Sequence, residues 1–129
     1  MPLDYDRFDV LTFDCYGTLI DWETGLAMAL REALPALAGV PDDDLLESYG
    51  THEAAAESGP YLSYRDVLRA GLRGVAADHG VDVPEEAGNR FAESVRDWPA
   101  FPDSGDALRR LHERFRLAGH LDHADRALV

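Results

Sequence analysis

Asp14 is the residue of this chain best placed to do covalent chemistry. Phe8, Val10, Leu11 and Phe13 run up to it as a short, dense apolar stretch, the pattern of a strand buried on both faces of a parallel sheet. The run stops at the acid, and Cys15-Tyr16-Gly17-Thr18 then supplies a turn whose glycine can take a positive φ. Ligands of open α/β sheets bind beyond the carboxyl ends of strands. A carboxylate there, backed by Thr18 and by turn amides, is placed to act as a nucleophile. The same Asp could instead do no more than cap the turn through its own backbone. The local pattern leaves both readings open.

The stretch Phe13-Asp-Cys-Tyr-Gly-Thr-Leu-Ile-Asp-Trp22 resembles the first motif of the haloacid dehalogenase superfamily, in the form found in its 2-haloacid dehalogenase branch. The six residues Asp14 to Leu19 carry the match. The resemblance implies that Asp14 is the nucleophile and that Thr18 orients it. It also implies that the Cys15 and Tyr16 amides help hold an anionic centre. Phosphatases of the superfamily place a second Asp two residues after the nucleophile, to protonate the leaving group. Here Tyr16 stands there, and a phenol with a pKa near ~10 is a poor donor for that task, whereas halide leaves without a proton. A phosphatase is therefore the weaker alternative. No metal or cofactor is implied, and the substrate is a small anionic, 2-haloacid-like molecule.

Other site residues follow from the same resemblance. An Arg on the covering helices often receives the departing halide. Arg65 and Arg69, one turn apart, are the candidates, although the family's position aligns near Ser48-Tyr49. Trp22 either walls the pocket or packs the hinge behind the motif. Cys15 beside Asp14 reads as a small packing residue more than a reactive one.

Composition narrows the function classes. The chain has 129 residues, enough for one core, with 46% hydrophobic and 29% charged residues. Its formal net charge of −13 excludes general binding to nucleic acid or to anionic membrane, both of which need a positive footprint. All 12 basic residues are Arg, so the Lys that the family usually places in its active site has no counterpart. One cysteine allows no internal disulfide and fits a reducing compartment. The acidic N-terminus has no signal-peptide pattern, and no stretch reaches the ~20 apolar residues of a membrane span. A cytoplasmic location is expected.

Between Gly25 and Trp98 the periodicity predicts helices only. Leu26, Leu30, Ala33, Leu34 and Leu37 form a first stripe, which Pro35 kinks or ends. Asp42-Asp43-Asp44 suits a helix N-terminus and reads as a cap rather than a cation site. Leu45, Leu46, Tyr49 and Ala56 form a second stripe. Ser63 and Asp66 resemble a capping box ahead of Tyr64, Leu68, Leu72, Val75 and Ala76, which His79-Gly80 closes. Pro84-Glu85-Glu86 opens a fourth helix with Ala87, Phe91, Val95 and Trp98 inward. Asp103-Ser104 caps a further helix through Ala107, Leu108 and Leu111, and Phe115 to Leu121 is a weaker strand, marred by Gly119. His52, His79 and His112 read as ordinary helix-surface residues.

The expected fold is α/β and mostly helical: a partial Rossmann-like core of parallel strands with an inserted helical cap. Residues 1–21 hold the first core strand and nucleophile motif, 22–98 the cap, and 99–129 the return to the core. In the return, Asp122 and His123 stand where the family has Ser/Thr-Asn. The third and fourth motifs, a basic residue and later acids, have no counterpart. His120, Asp122, His123 and Asp125 could ligate a metal, but their spacing fits a degenerate second motif better. Two function classes therefore remain: a hydrolase of dehalogenase type, and a catalytically incomplete interaction module. The chain by itself is expected to be inactive, and to self-associate through a strand with too few neighbours.

Overall fold

The computed structural model describes residues 1–119. Strands β1 (Val10–Phe13) and β2 (Arg116–Gly119) pair in parallel, with Val10 opposite Arg116 and Phe13 opposite Gly119. Parallel neighbours require a crossover. Here it holds the helices α1 (Trp22–Ala33), α2 (Asp42–Glu57), α3 (Tyr64–Asp78), α4 (Ala87–Glu93) and α5 (Ser104–His112). The architecture is the expected one: mostly helical, with a small parallel sheet.

The core belongs to the helices. Leu26 and Leu30 of α1, Leu45 and Tyr49 of α2, Leu68 and Leu72 of α3, and Phe91 of α4 are at most 2% exposed and form one cluster. Burying each Leu stabilises by about 1.5–3 kcal/mol relative to leaving it exposed. The sheet gains far less, because Phe8 and Val10 remain 47% and 42% exposed. The expectation of a strand buried on both faces fails for these two residues: among the described residues β1 has a single partner strand.

Local signals place the helix ends. Asp21 caps α1, its carboxylate accepting from the Thr24 hydroxyl (2.8 Å) and amide (3.4 Å). Helix α1 stops at Ala33, and Pro35 begins a 3-10 turn over Pro35–Leu37. The Ser63 hydroxyl accepts from the Asp66 amide, the N-cap half of the expected capping box, and donates to the Asp66 carboxylate in place of the backbone half. Gly80, at φ +64°, ends α3, with the Val81 amide reaching back to the Ala76 carbonyl.

Three expectations need correction. Asp42, Asp43 and Asp44 sit inside the first turn of α2, behind Pro41 at the cap position, and make no side-chain cap there. They complement the helix dipole, and Asp42 also pairs with Arg31, whose guanidinium donates to the Val40 carbonyl. At α5, Asp103 makes no side-chain cap bond, and the Ser104 hydroxyl donates to the Leu19 carbonyl instead of capping. His52 is not an ordinary surface residue. Its Nε2 lies 2.9 Å from an Asp78 carboxylate oxygen that also accepts from the Ser48 hydroxyl, so it ties α2 to α3.

Candidate active site

The turn after β1 is wound around one carbonyl. The Cys15 oxygen accepts from the amides of Thr18 (3.1 Å), Leu19 (2.7 Å) and Ile20 (3.1 Å), and the Gly17 amide donates to the Ile20 oxygen (2.9 Å). Closing so tight a loop requires φ of +84° at Gly17, which glycine adopts without strain. Because the Cys15–Tyr16 peptide is trans and planar, the Tyr16 N–H points away from the side where the Cys15 oxygen is engaged. The winding brings the Thr18 hydroxyl to Asp14, where it donates to Oδ2 at 2.9 Å. Asp14 itself is exposed at the carboxyl end of β1.

A second segment braces this turn. The Asp21 amide donates to the Pro99 oxygen (2.8 Å) and the Phe101 amide to the Leu19 oxygen (3.0 Å). The Ser104 hydroxyl, on a residue only 5% exposed, donates to the same Leu19 oxygen at 2.7 Å. Ile20 and Ala100 form an antiparallel bridge between the two segments. The loop bearing Asp14 is thus held from three sides, by β1, by the capped start of α1 and by residues 99–104.

Beside the turn lies a cleft of about 220 Å³ lined by Tyr16, Trp22, Glu53, Tyr64 and Trp98. Trp98 is fixed by close approach to α1. A Cβ on Gly25 would fall 2.5 Å from the indole Cγ, and the indole N–H donates to the Ser94 hydroxyl at 3.2 Å. The Tyr16 ring meets Trp98 edge-on, at 6.0 Å and 72°. Glu53 stands one helical turn beyond the buried Tyr49. Burial, followed by repulsion from Glu57, raises its carboxyl above the ordinary value.

The structure brings Asp14 and Thr18 together and sets Tyr16 and Trp22 in the adjoining cleft, while Cys15 is half-buried in the turn. Arg65 and Arg69 do not line that cleft. The Arg69 guanidinium holds the Asn89 side-chain oxygen (2.9 and 3.1 Å) and Asp66 (2.8 Å), joining α3 to α4. Arg65 is half-buried in the first turn of α3. Glu53 escaped the sequence reading because a helical Glu usually marks a solvated face. The signal was its spacing, four residues after Tyr49 on the buried stripe. The segment His120 to Asp125, with Asp122 and His123, lies outside the described residues. Among the described residues, no three His, Cys, Asp or Glu side chains are grouped as a metal site would need. No described helix is long and apolar enough to cross a membrane.

No protein-family model and no curated protein matches the sequence. Solved structures do match the fold. A dehalogenase superposes with a TM-score of 0.69 at 17% identity, over 95% of this chain and 56% of its own. The L-2-haloacid dehalogenase of Xanthobacter autotrophicus gives 0.67 at 22% identity, over 95% of this chain and 51% of its own, and it has also been solved with chloropropionic acid covalently bound. A HAD-hydrolase of Bacillus subtilis, solved with magnesium, gives 0.68 at 16% identity, over 93% and 57%. The chain spans about half the length of these proteins, and its fold is that of the corresponding part of a haloacid dehalogenase.

Proposed function

We propose that this chain carries the nucleophile and the substrate-covering helices of a hydrolase of the 2-haloacid dehalogenase type. The observation that carries this reading is the Thr18 hydroxyl on Asp14 Oδ2 at the end of a parallel strand. That bond fixes the carboxylate's rotation, leaving Oδ1 to attack the halogen-bearing carbon. The carbon–halogen bond breaks with its electron pair, halide departs, and an Asp14 ester remains. Water then adds to the Asp14 carboxyl carbon, losing a proton to a base. The enzyme oxygen leaves with the product as a hydroxyl group. As the resemblance implies, the Cys15 and Tyr16 amides support the anionic centre. The helices between Trp22 and about residue 98 form the cap over the site, and the single cysteine suits a reducing cytoplasm.

Single-turnover hydrolysis of 2-chloropropionate in heavy-oxygen water, by this chain joined to the remaining core strands of a dehalogenase, tests this mechanism. Label is expected in Asp14 and not in the first product. Label appearing first in the product means direct attack by water and removes Asp14 from the role. Magnesium-dependent release of phosphate from small phosphate esters, lost in Asp14→Asn, would favour phosphatase chemistry instead.

A second reading, that of an interaction module without catalysis, has one observation in its favour: the exposure of Phe8 and Val10 on β1. A bound Asp14–Thr18 pair has no purpose in such a module, so we keep the hydrolase as the conclusion.

A further inference from the structure

The cleft next to Asp14 has the wrong chemistry for an anion. Its walls are four aromatic rings, including both tryptophans of the chain, and its charged member is the carboxyl of Glu53. Among the described residues no Arg or His lines it, and Lys is absent from the sequence. Arg69, the nearest candidate by sequence for an anion-binding role, is spent on Asn89 and Asp66. An anionic group entering here would meet Glu53 with no cation beside it.

We propose that this cleft is a subsite for an organic ammonium group, the far end of a substrate whose reacting carbon lies at Asp14. Aromatic faces attract a desolvated cation through the ring quadrupole, and quaternary ammonium ligands are held in cages of such rings. A cage needs walls set at an angle to one another. Tyr16 and Trp98 meet at 72° and supply such a corner, with Trp22 and Tyr64 lining the same space. Glu53 adds the compensating charge, and the net charge of −13 favours the approach of a cation.

The position of Glu53 supports the assignment. Burial and Glu57 work against its ionised form more than the Tyr49 hydroxyl works for it, so the fold holds a carboxyl here at some cost. A bound ammonium would relieve that cost. Tyr16 belongs at once to the cleft and to the Asp14 turn, two residues past the acid, so a ligand in the cleft lies against the turn that carries Asp14. As a statement about substrate this rests on the hydrolase reading. The substrate class then becomes a halogenated carboxylic acid with an ammonium group at its far end. The binding itself does not depend on that reading.

The test is a titration of the full chain at neutral pH and low salt, followed by the fluorescence of Trp22 and Trp98. The ligands are choline and its uncharged isostere 3,3-dimethyl-1-butanol. Choline is expected to give a saturable change with an affinity at least tenfold above that of the isostere. Glu53→Gln should remove most of that preference while leaving the far-ultraviolet spectrum unchanged. Equal affinity for the two ligands would overturn the proposal in favour of a merely apolar cleft, and no saturable change with choline would overturn it outright. The comparison of ligands on the parent chain needs no variant to fold. Because no turnover is involved, a failure here leaves the oxygen-label experiment on Asp14 intact, and a failure of that experiment leaves this one intact.

Discussion

The Ser104 hydroxyl donates to the Leu19 carbonyl at 2.7 Å, joining two residues 85 positions apart across the base of the Asp14 turn. Leu19 also accepts from the Phe101 amide, so losing the hydroxyl leaves no orphaned carbonyl. Ser104→Ala is therefore expected to cost only the net worth of one hydrogen bond, about 1 kcal/mol. Faster amide exchange at Leu19 and Ile20 should accompany it. An unchanged denaturant midpoint with unchanged exchange would show that the brace is dispensable.

Gly25 has no room for a side chain. With Trp98 Cγ 2.5 Å from the position of a Cβ, Gly25→Ala must push the indole aside or separate it from α1. Overpacking of this kind costs about 1–3 kcal/mol. Trp98 also walls the cleft, so its emission spectrum should move along with stability. A variant as stable as the parent, with an identical spectrum, would contradict the close packing.

Thr18→Val keeps the shape of the side chain and deletes the bond to Asp14. A hydrogen bond to a charged group is worth about 1.5–3 kcal/mol, which in this chain joined to the remaining core strands of a dehalogenase corresponds to a loss in kcat of roughly 10- to 100-fold. KM should change little, because the hydroxyl touches Asp14, the proposed nucleophile, and not the substrate. A kcat equal to that of the parent protein would mean that Asp14 is oriented by something else.

Glu53 gives stability a definite pH dependence. Its folded carboxyl holds a proton to higher pH than the ~4.3 of an unfolded chain. Its effect is neutral well below the unfolded value, where both states are protonated. Stability is then lost as pH rises from there through the raised folded value, and stays lost above it. Glu53→Gln should therefore melt higher than the parent at pH 7, with the difference closing below about pH 4. A difference independent of pH would remove burial as its cause.

Much of the helical body could be read in advance because its signals are local. Ser63 with Asp66, and His79 with Gly80, mark helix ends that depend on a few neighbouring residues. Asp14 and Thr18 belong to one short turn and were legible for the same reason. The cleft was not, since Tyr16, Glu53, Tyr64 and Trp98 come from separate parts of the chain and only packing unites them. The exposure of Phe8 and Val10 was half legible: the apolar pattern requires burial, while the number of partner strands is a global property. The roles of Arg31, His52 and Arg69 as ties between helices also depend on which faces meet.

The described sheet leaves a specific liability. Leu3, Tyr5, Phe8 and Val10 are all at least 42% exposed, and a groove of about 470 Å³ lies at the junction of α5 and β2, lined by Leu111 and Phe115 among others. Exposed apolar surface beside an unprotected strand edge favours association. Sedimentation of residues 1–129 should show mass rising with concentration, and halide release from 2-chloropropionate should stay at background. A monomer at all concentrations with robust turnover dependent on Asp14 would refute both expectations.

The pairing of Val10 with Arg116 spans almost the whole described chain, whereas α2, α3 and α4 pack on their neighbours in sequence. Contacts between distant residues carry the larger loop-closure entropy and form more slowly. The order of assembly follows. The helical body condenses first, and in doing so draws residues 99–104 up to Leu19 and Asp21. That shortens the loop that β1 and β2 must still close. The pairing of β1 with β2 is then expected to settle after the helical body, and with it the final placement of the strand end that leads into Asp14.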